Sequence, residues 1–124
     1  MKKTLIILAA ILLLLSSAIS ANAKTPAPKT YSGYLMDKMC AKRKAGDLDK
    51  MKNHSLTCLT EDGCADSGFG VVVGKKFIPF DAKGNELTAN YLKTTTKEKD
   101  FQVVVTGVMK KNKIAVATFA EKQN

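Results

Sequence analysis

Phe101-Gln-Val-Val-Val-Thr-Gly-Val-Met109 and Lys113-Ile-Ala-Val-Ala-Thr-Phe119 are the two stretches that decide the fold class. Both are rich in β-branched residues, and Lys110-Lys111-Asn112 between them suits a tight hairpin turn. In the first run Phe101, Val103 and Val105 share one face. In the second, Ile114, Val116 and Thr118 share a face and Phe119 takes the other. Both faces are fairly apolar, as expected for strands covered on two sides or curled into a barrel.

Working upstream, Gly70-Val-Val-Val-Gly74 and Lys76-Phe-Ile-Pro-Phe80 predict two more strands around a Gly-Lys turn, with Pro79 marking an edge. Asp81-Ala-Lys-Gly-Asn85 reads as a turn cluster. Residues 86–92 can form a short helix with Leu87, Tyr91 and Leu92 on its buried side, and Thr94-Thr95-Thr96 weakens any continuation. Tyr31-Ser-Gly-Tyr-Leu-Met36 is a first strand that ends at Asp37. Between it and the next strand lies an insertion, residues 38–67, holding all three cysteines and the only histidine.

The expected class is mainly β: a small five-stranded barrel with one short helix and a Cys-rich helical insertion between strands 1 and 2. Without that insertion, the order of three strands, helix and two strands is that of an OB-fold. Through Val103-Val-Val-Thr-Gly-Val108 followed by Ile114-Ala-Val-Ala, residues 67–119 resemble the small exported bacterial OB-fold proteins. The resemblance implies an OB-like barrel; the insertion departs from the usual pattern.

The first residues have the three parts of a secretory signal. Lys2 and Lys3 supply charge, residues 5–15 are unbroken by a polar side chain, and Ala21-Asn22-Ala23 is a small-x-small cleavage site. The apolar run is short for a bilayer crossing, which needs about 20 residues. The expectation is therefore a signal peptide at 1–23, a flexible lead at 24–29 and one domain at 30–124, in the periplasm or secreted. No transmembrane segment is expected in the mature chain. Losing Lys2 and Lys3 leaves 18 of the 20 basic residues against 11 acidic ones, a net charge of +7. The lysines are scattered, which suits a solvated surface; they also suit attraction to an anionic envelope component or partner protein.

Chemistry concentrates in the insertion. Cys40, His54, Cys58 and Cys64 are candidate soft ligands, with Met36, Met39 and Met51 around them. Asp47 can cap a helix through roughly residues 48–59, and on it Met51, His54 and Cys58 fall on one stripe at i, i+3 and i+7. Thiolate, imidazole and thioether are the donors that zinc or copper(I) takes, so Cys40, His54, Cys58 and Cys64 form the candidate metal set, with Met51 as an extra ligand. In an oxidising compartment two of the cysteines would instead pair as a disulfide, leaving one thiol over. Thiol-disulfide exchange is the third reading.

Other classes lack the residues. No Cys-x-x-Cys-His occurs for haem and no Cys-x-x-Cys for a thioredoxin-like site. Ser67-Gly-Phe-Gly70 leads into a strand rather than a helix, so no nucleotide phosphate site is expected. Glu61, Asp62 and Asp66 read as a solvated acidic turn. Export makes nucleic acid an improbable target, and a single histidine is thin support for a catalytic role, so no catalytic residue is assigned.

Overall fold

The computed structural model describes residues 26–124; the signal segment expected at 1–23 lies outside the described residues. Five strands form one antiparallel sheet: β1 (Lys29–Asp37), β2 (Phe69–Val73), β3 (Lys76–Pro79), β4 (Gln102–Lys110) and β5 (Lys113–Glu121), in the spatial order β3-β2-β1-β4-β5. Four short helices stand between β1 and β2: α1 (Lys38–Lys44), α2 (Leu48–Lys52), α3 (Leu56–Thr60) and α4 (Asp62–Asp66). A longer one, α5 (Ala82–Thr94), joins β3 to β4.

The central strand changes partner along its length. Its first half pairs with β4, from Lys29 opposite Gly107 to Tyr34 opposite Gln102. Its second half pairs with β2, from Tyr34 opposite Val72 to Asp37 opposite Phe69. The sheet curls but remains open. Its edge strands are β3 and β5, and Phe80 forms a single parallel bridge with Ile114 where they approach. The closed barrel expected from the strand pattern is therefore not formed by the sheet.

The β4–β5 hairpin follows its sequence. Lys111 and Asn112 take φ of 48° and 64°, the left-handed pair that a two-residue type I′ turn needs. One part of the expected facing is corrected. Thr106 opposes Thr118 but Gly107 opposes Val116, so the extra residue Ala117 makes a bulge. A bulge switches the side that later residues face. Ile114 and Val116 stay buried, while beyond the bulge Thr118 turns outward and Phe119 turns in to pack on the core. There its ring meets Phe80 edge-on and Tyr91 at a tilt.

Residues 81–85, read as a turn, are instead the cap and first turn of α5. The Asp81 carboxylate accepts from the Gly84 N–H at 2.9 Å and from the Val116 N–H at 3.2 Å, which ties the helix start to β5. Leu92 is buried on the sheet, with Leu87 and Tyr91 packed around the core it joins. Gly84 is where helix and sheet come closest: a Cβ there would sit 2.6 Å from both Phe80 Cβ and Val116 Cγ2.

Two apolar clusters result. The main one lies between α5 and the inner face of the sheet and includes Leu35, Val71, Phe80, Phe101, Val103, Val105 and Ile114, with Leu59 of α3. The second lies on the opposite face of β1 and β2, where Met36 and Val72 meet Cys40, Ala41, Met51 and Cys64. The insertion thus covers the back of the β1–β2 pair. Among the described residues, no helix is long and apolar enough to cross a membrane.

Replacing Gly84 tests the close approach of α5. Gly84→Leu should lower stability by about 1–3 kcal/mol through overpacking, seen as a lower urea midpoint. The exposed neighbour change Lys83→Ala should stay within about 0.5 kcal/mol of wild type.

Candidate metal centre

β1 does not end in a loose turn; it runs directly into α1, and Asp37 is the joint. The Asp37 side chain has no exposed surface, and each of its oxygens has a job. Oδ1 accepts the Cys40 N–H at 2.8 Å, which makes Asp37 the N-cap of α1. Oδ2 lies 3.0 Å from His54 Nε2. On the other side of the ring, Lys44 Nζ lies 2.9 Å from His54 Nδ1. An ammonium can only donate, so Nδ1 accepts from Lys44 and the ring proton sits on Nε2, which donates to Asp37. The result is a row of half-buried Lys44 and buried His54 and Asp37, spanning α1, the α2–α3 connection and the end of β1.

His54 reaches this position because the expected helix over 48–59 is broken. Asp47 caps α2 as predicted, its carboxylate accepting from the Lys50 N–H at 3.1 Å. The helix then stops at Lys52, and Ser55 starts α3 by accepting the Cys58 N–H on its hydroxyl. The intervening turn is pinned from outside: the Asp100 N–H donates to the Lys52 carbonyl and the Leu56 N–H to the Glu98 carbonyl, both at 2.9 Å. Met51, His54 and Cys58 therefore do not share one helical stripe. Met51 is buried in the second apolar cluster, His54 is buried on the turn, and Cys58 on α3 is only partly buried.

Two of the predicted sulfurs come together. One ligand atom each from Asp37, Cys40 and Cys64 lie within 4.8 Å of one another, and all three residues are buried. Cys40 rides on the first turn of α1. Cys64 rides on α4, which is tied to α1 by Ser67: its hydroxyl accepts the Met39 N–H at 3.1 Å and donates to the Cys64 carbonyl at 2.6 Å. All three cysteines are free, so the disulfide staple that an oxidising compartment would favour is not formed. Glu61, Asp62 and Asp66 are exposed as expected, although on and beside α4 rather than in a turn.

The electrostatics keep these thiols protonated. Burial pushes Cys40 up to about 11, with the nearby Asp37 carboxylate and then Cys64 adding to the effect. Cys64 is raised by burial and then by Asp37. His54 is lowered, first by burial and then by the positive charge of Lys44, against the pull of Asp37. The ring is accordingly neutral at pH 7.

Asp37 and Lys44 are the site residues that the sequence reading did not single out. The signal for Asp37 was present: an acid at a strand end, three residues before Cys40, is a helix N-cap pattern. Nothing local marks Lys44, whose role depends on the turn that delivers His54.

A neutral buried histidine gives stability an acid-side limit. Its folded pKa is depressed, so the unfolded chain binds the proton more readily, and stability falls as pH drops below the ordinary histidine value of about 6.5. The metal-free protein should lose melting temperature between pH 7 and pH 5, and His54→Gln should flatten that part of the profile while lowering stability at pH 7. A wild-type profile that is flat over this interval would contradict the buried neutral ring.

Comparison with known proteins finds no matching family model, no matching curated protein and no matching solved structure.

Proposed function

We propose that this is a small exported binding protein that holds a soft metal ion, zinc in preference to copper(I), at Asp37, Cys40 and Cys64. The observation that carries this reading is the convergence of a carboxylate and two free thiols, within 4.8 Å, in the interior. Ligands on a tetrahedral zinc stand about 3–4 Å apart, so a small rotation of the side chains brings the three onto one ion. The carboxylate in the set favours zinc; the Met36 and Met51 thioethers packed in the same cluster are the argument for copper(I).

The other predicted ligands take different places in this proposal. His54 acts through Asp37, as an imidazole that fixes the orientation of a ligating carboxylate. Direct ligation by His54 would require giving up one of its two ring hydrogen bonds. Cys58, partly buried on the neighbouring α3, is the next sulfur along the chain for a fourth donor. We read the surrounding sheet as OB-like, supported by the partner change of β1, the helix between β3 and β4, and the Phe80–Ile114 bridge. Export rests on the charged, apolar and small-residue segments of residues 1–23.

A second reading has one observation in its favour. Lys38, Lys42, Lys75 and Lys76 line an open cleft of about 650 Å³ with Phe77, Ala41 and Ala45, and among the described residues no acidic side chain lines it. That lining suits an anionic envelope component or an acidic face of a partner protein. Binding that falls steeply with salt and survives loss of both Cys40 and Cys64 would favour it.

Metal titration of the reduced, purified protein tests the first reading. One equivalent of zinc should bind, with Cys40→Ser or Cys64→Ser weakening affinity at least 100-fold and His54→Ala about 10- to 100-fold. Because both thiols are held protonated, binding releases protons, and affinity should rise with pH between 6 and 8. Zinc affinity unchanged in both cysteine variants would overturn the site. Separately, expression of the full chain should yield a processed protein beginning at Lys24; a cytoplasmic, unprocessed product would overturn export.

A further inference from the structure

The cysteines are graded in exposure, and two of them are clustered. Cys58 is partly buried, Cys64 retains 8% of its surface and Cys40 5%. The Cys40 and Cys64 sulfurs share the cluster just described, and Cys58 sits on α3, which packs directly against α4. We propose that the three cysteines form a dithiol-disulfide exchange path, in which Cys58 accepts a disulfide at the surface and passes it through Cys64 to end as Cys40–Cys64. This goes beyond the metal reading, although it uses two of the same side chains.

The geometry gives each cysteine a distinct part. Cys58 is the thiol with a surface for an incoming disulfide. The carrier of Cys64 is also the least secured helix of the insertion at its start. α4 has no side-chain cap, and Glu61 serves as both the C-cap of α3 and the N-cap of α4. A Cβ on Gly63 would meet nothing within 4 Å, so the segment has open space beside it. At its other end α4 is tethered: Ser67 joins it to Met39, and the Lys38 N–H donates to the Gly68 carbonyl at 2.8 Å. Cys64 thus sits on a short helix joined to α3 through Glu61 at one end and held beside Cys40 at the other.

The steps balance with a disulfide-bearing oxidant, either a protein or a small-molecule disulfide R–S–S–R′. The Cys58 thiolate attacks one sulfur, forming Cys58–S–S–R and releasing R′–S⁻, which takes up the proton lost by Cys58. Cys64 then attacks the Cys58 sulfur, forming the Cys58–Cys64 bond and expelling R–S⁻, protonated in turn. Cys40 attacks Cys64, which forms Cys40–Cys64 and returns Cys58 as a thiol. Two protein thiols are oxidised, one external disulfide is reduced to two thiols, and two electrons pass. Once formed, the Cys40–Cys64 bond lies in the interior, away from attacking thiols.

Oxidised glutathione serves as the probe. The processed, reduced protein is freed of metal with a chelator, mixed with the disulfide, quenched with an alkylating agent and mapped by peptide mass. The expected end state links Cys40 to Cys64 and leaves Cys58 alkylated. Cys58→Ser should reach the same linkage at least tenfold more slowly, and Cys64→Ser should retain glutathione on Cys58. Circular dichroism checks that each variant is folded; Cys58→Ala, at a partly exposed position, provides a second entry-thiol variant. Three alkylated thiols in the wild type, a terminal Cys58–glutathione adduct, or an unchanged rate in both Cys58 variants would each overturn the path. The map is made without metal, so a failure here is separate from a failure to bind zinc. Zinc binding is scored in its own titration on the reduced chain.

Discussion

A single buried carboxylate holds the insertion to the sheet. Asp37 ends β1, caps α1 with one oxygen and holds the His54 ring with the other. Losing the cap would cost about 1 kcal/mol, and the stranded His54 N–H would add about 1–3 kcal/mol. The burial of that negative charge is tolerable because both oxygens are hydrogen-bonded and Lys44 stands at the far side of the ring. Strand, first helix and the α2–α3 turn thus meet at one side chain, which fixes Cys40 through its backbone N–H.

The insertion in turn supplies what so small a sheet lacks. Along the last residues of β1, Leu35, Met36 and Asp37 are all buried, because α5 and α3 cover one side while α1, α2 and α4 cover the other. A domain of about 100 residues has little interior to spare, and a second apolar cluster behind β1 and β2 adds to it. The sulfur-bearing side chains sit in this cluster rather than on a loop surface. Their burial is thus part of the packing, and the chemistry of the thiols is set by it.

Much of the sheet was legible because its signals are local. The β-branched runs of β4 and β5, the Lys-Lys-Asn turn and the glycine at the β2–β3 turn each follow from backbone preference. The bulge at Ala117 was not legible: an extra residue in a strand carries no mark of its own, and one residue suffices to exchange Thr118 for Phe119 at the core. Asp81 misled for another reason. An aspartate three residues before a glycine serves a turn or a helix cap equally well, and here it caps α5 while also accepting the Val116 N–H of β5. The expected 48–59 helix failed likewise through distant partners, since Glu98 and Asp100 hold the turn that interrupts it. In the site, an inventory of soft donors named Cys40 and Cys64 along with His54, Cys58 and Met51, and could not tell which of them the fold gathers or that Asp37 joins them. The placement of His54 behind Asp37 required the three-dimensional path of the chain.

The same electrostatics that silence the thiols define what can engage them. In the free cluster, forming either thiolate places a second negative charge beside Asp37 in a poorly solvated pocket, and both cysteines are raised accordingly. In the proposed metal site a divalent cation would reverse the sign of that interaction, because two thiolates and a carboxylate would then surround a positive charge that attracts all three. A disulfide escapes it by a different route, removing both protons and leaving neutral sulfur in an apolar cluster. A bound cation and a Cys40–Cys64 disulfide would exclude each other, since both use the same two thiol groups. A pocket that gathers Asp37 with the two thiols therefore resists idle ionisation, and the two proposals above differ in what would relieve it: a cation at the cluster, or an oxidant that enters at the partly exposed Cys58.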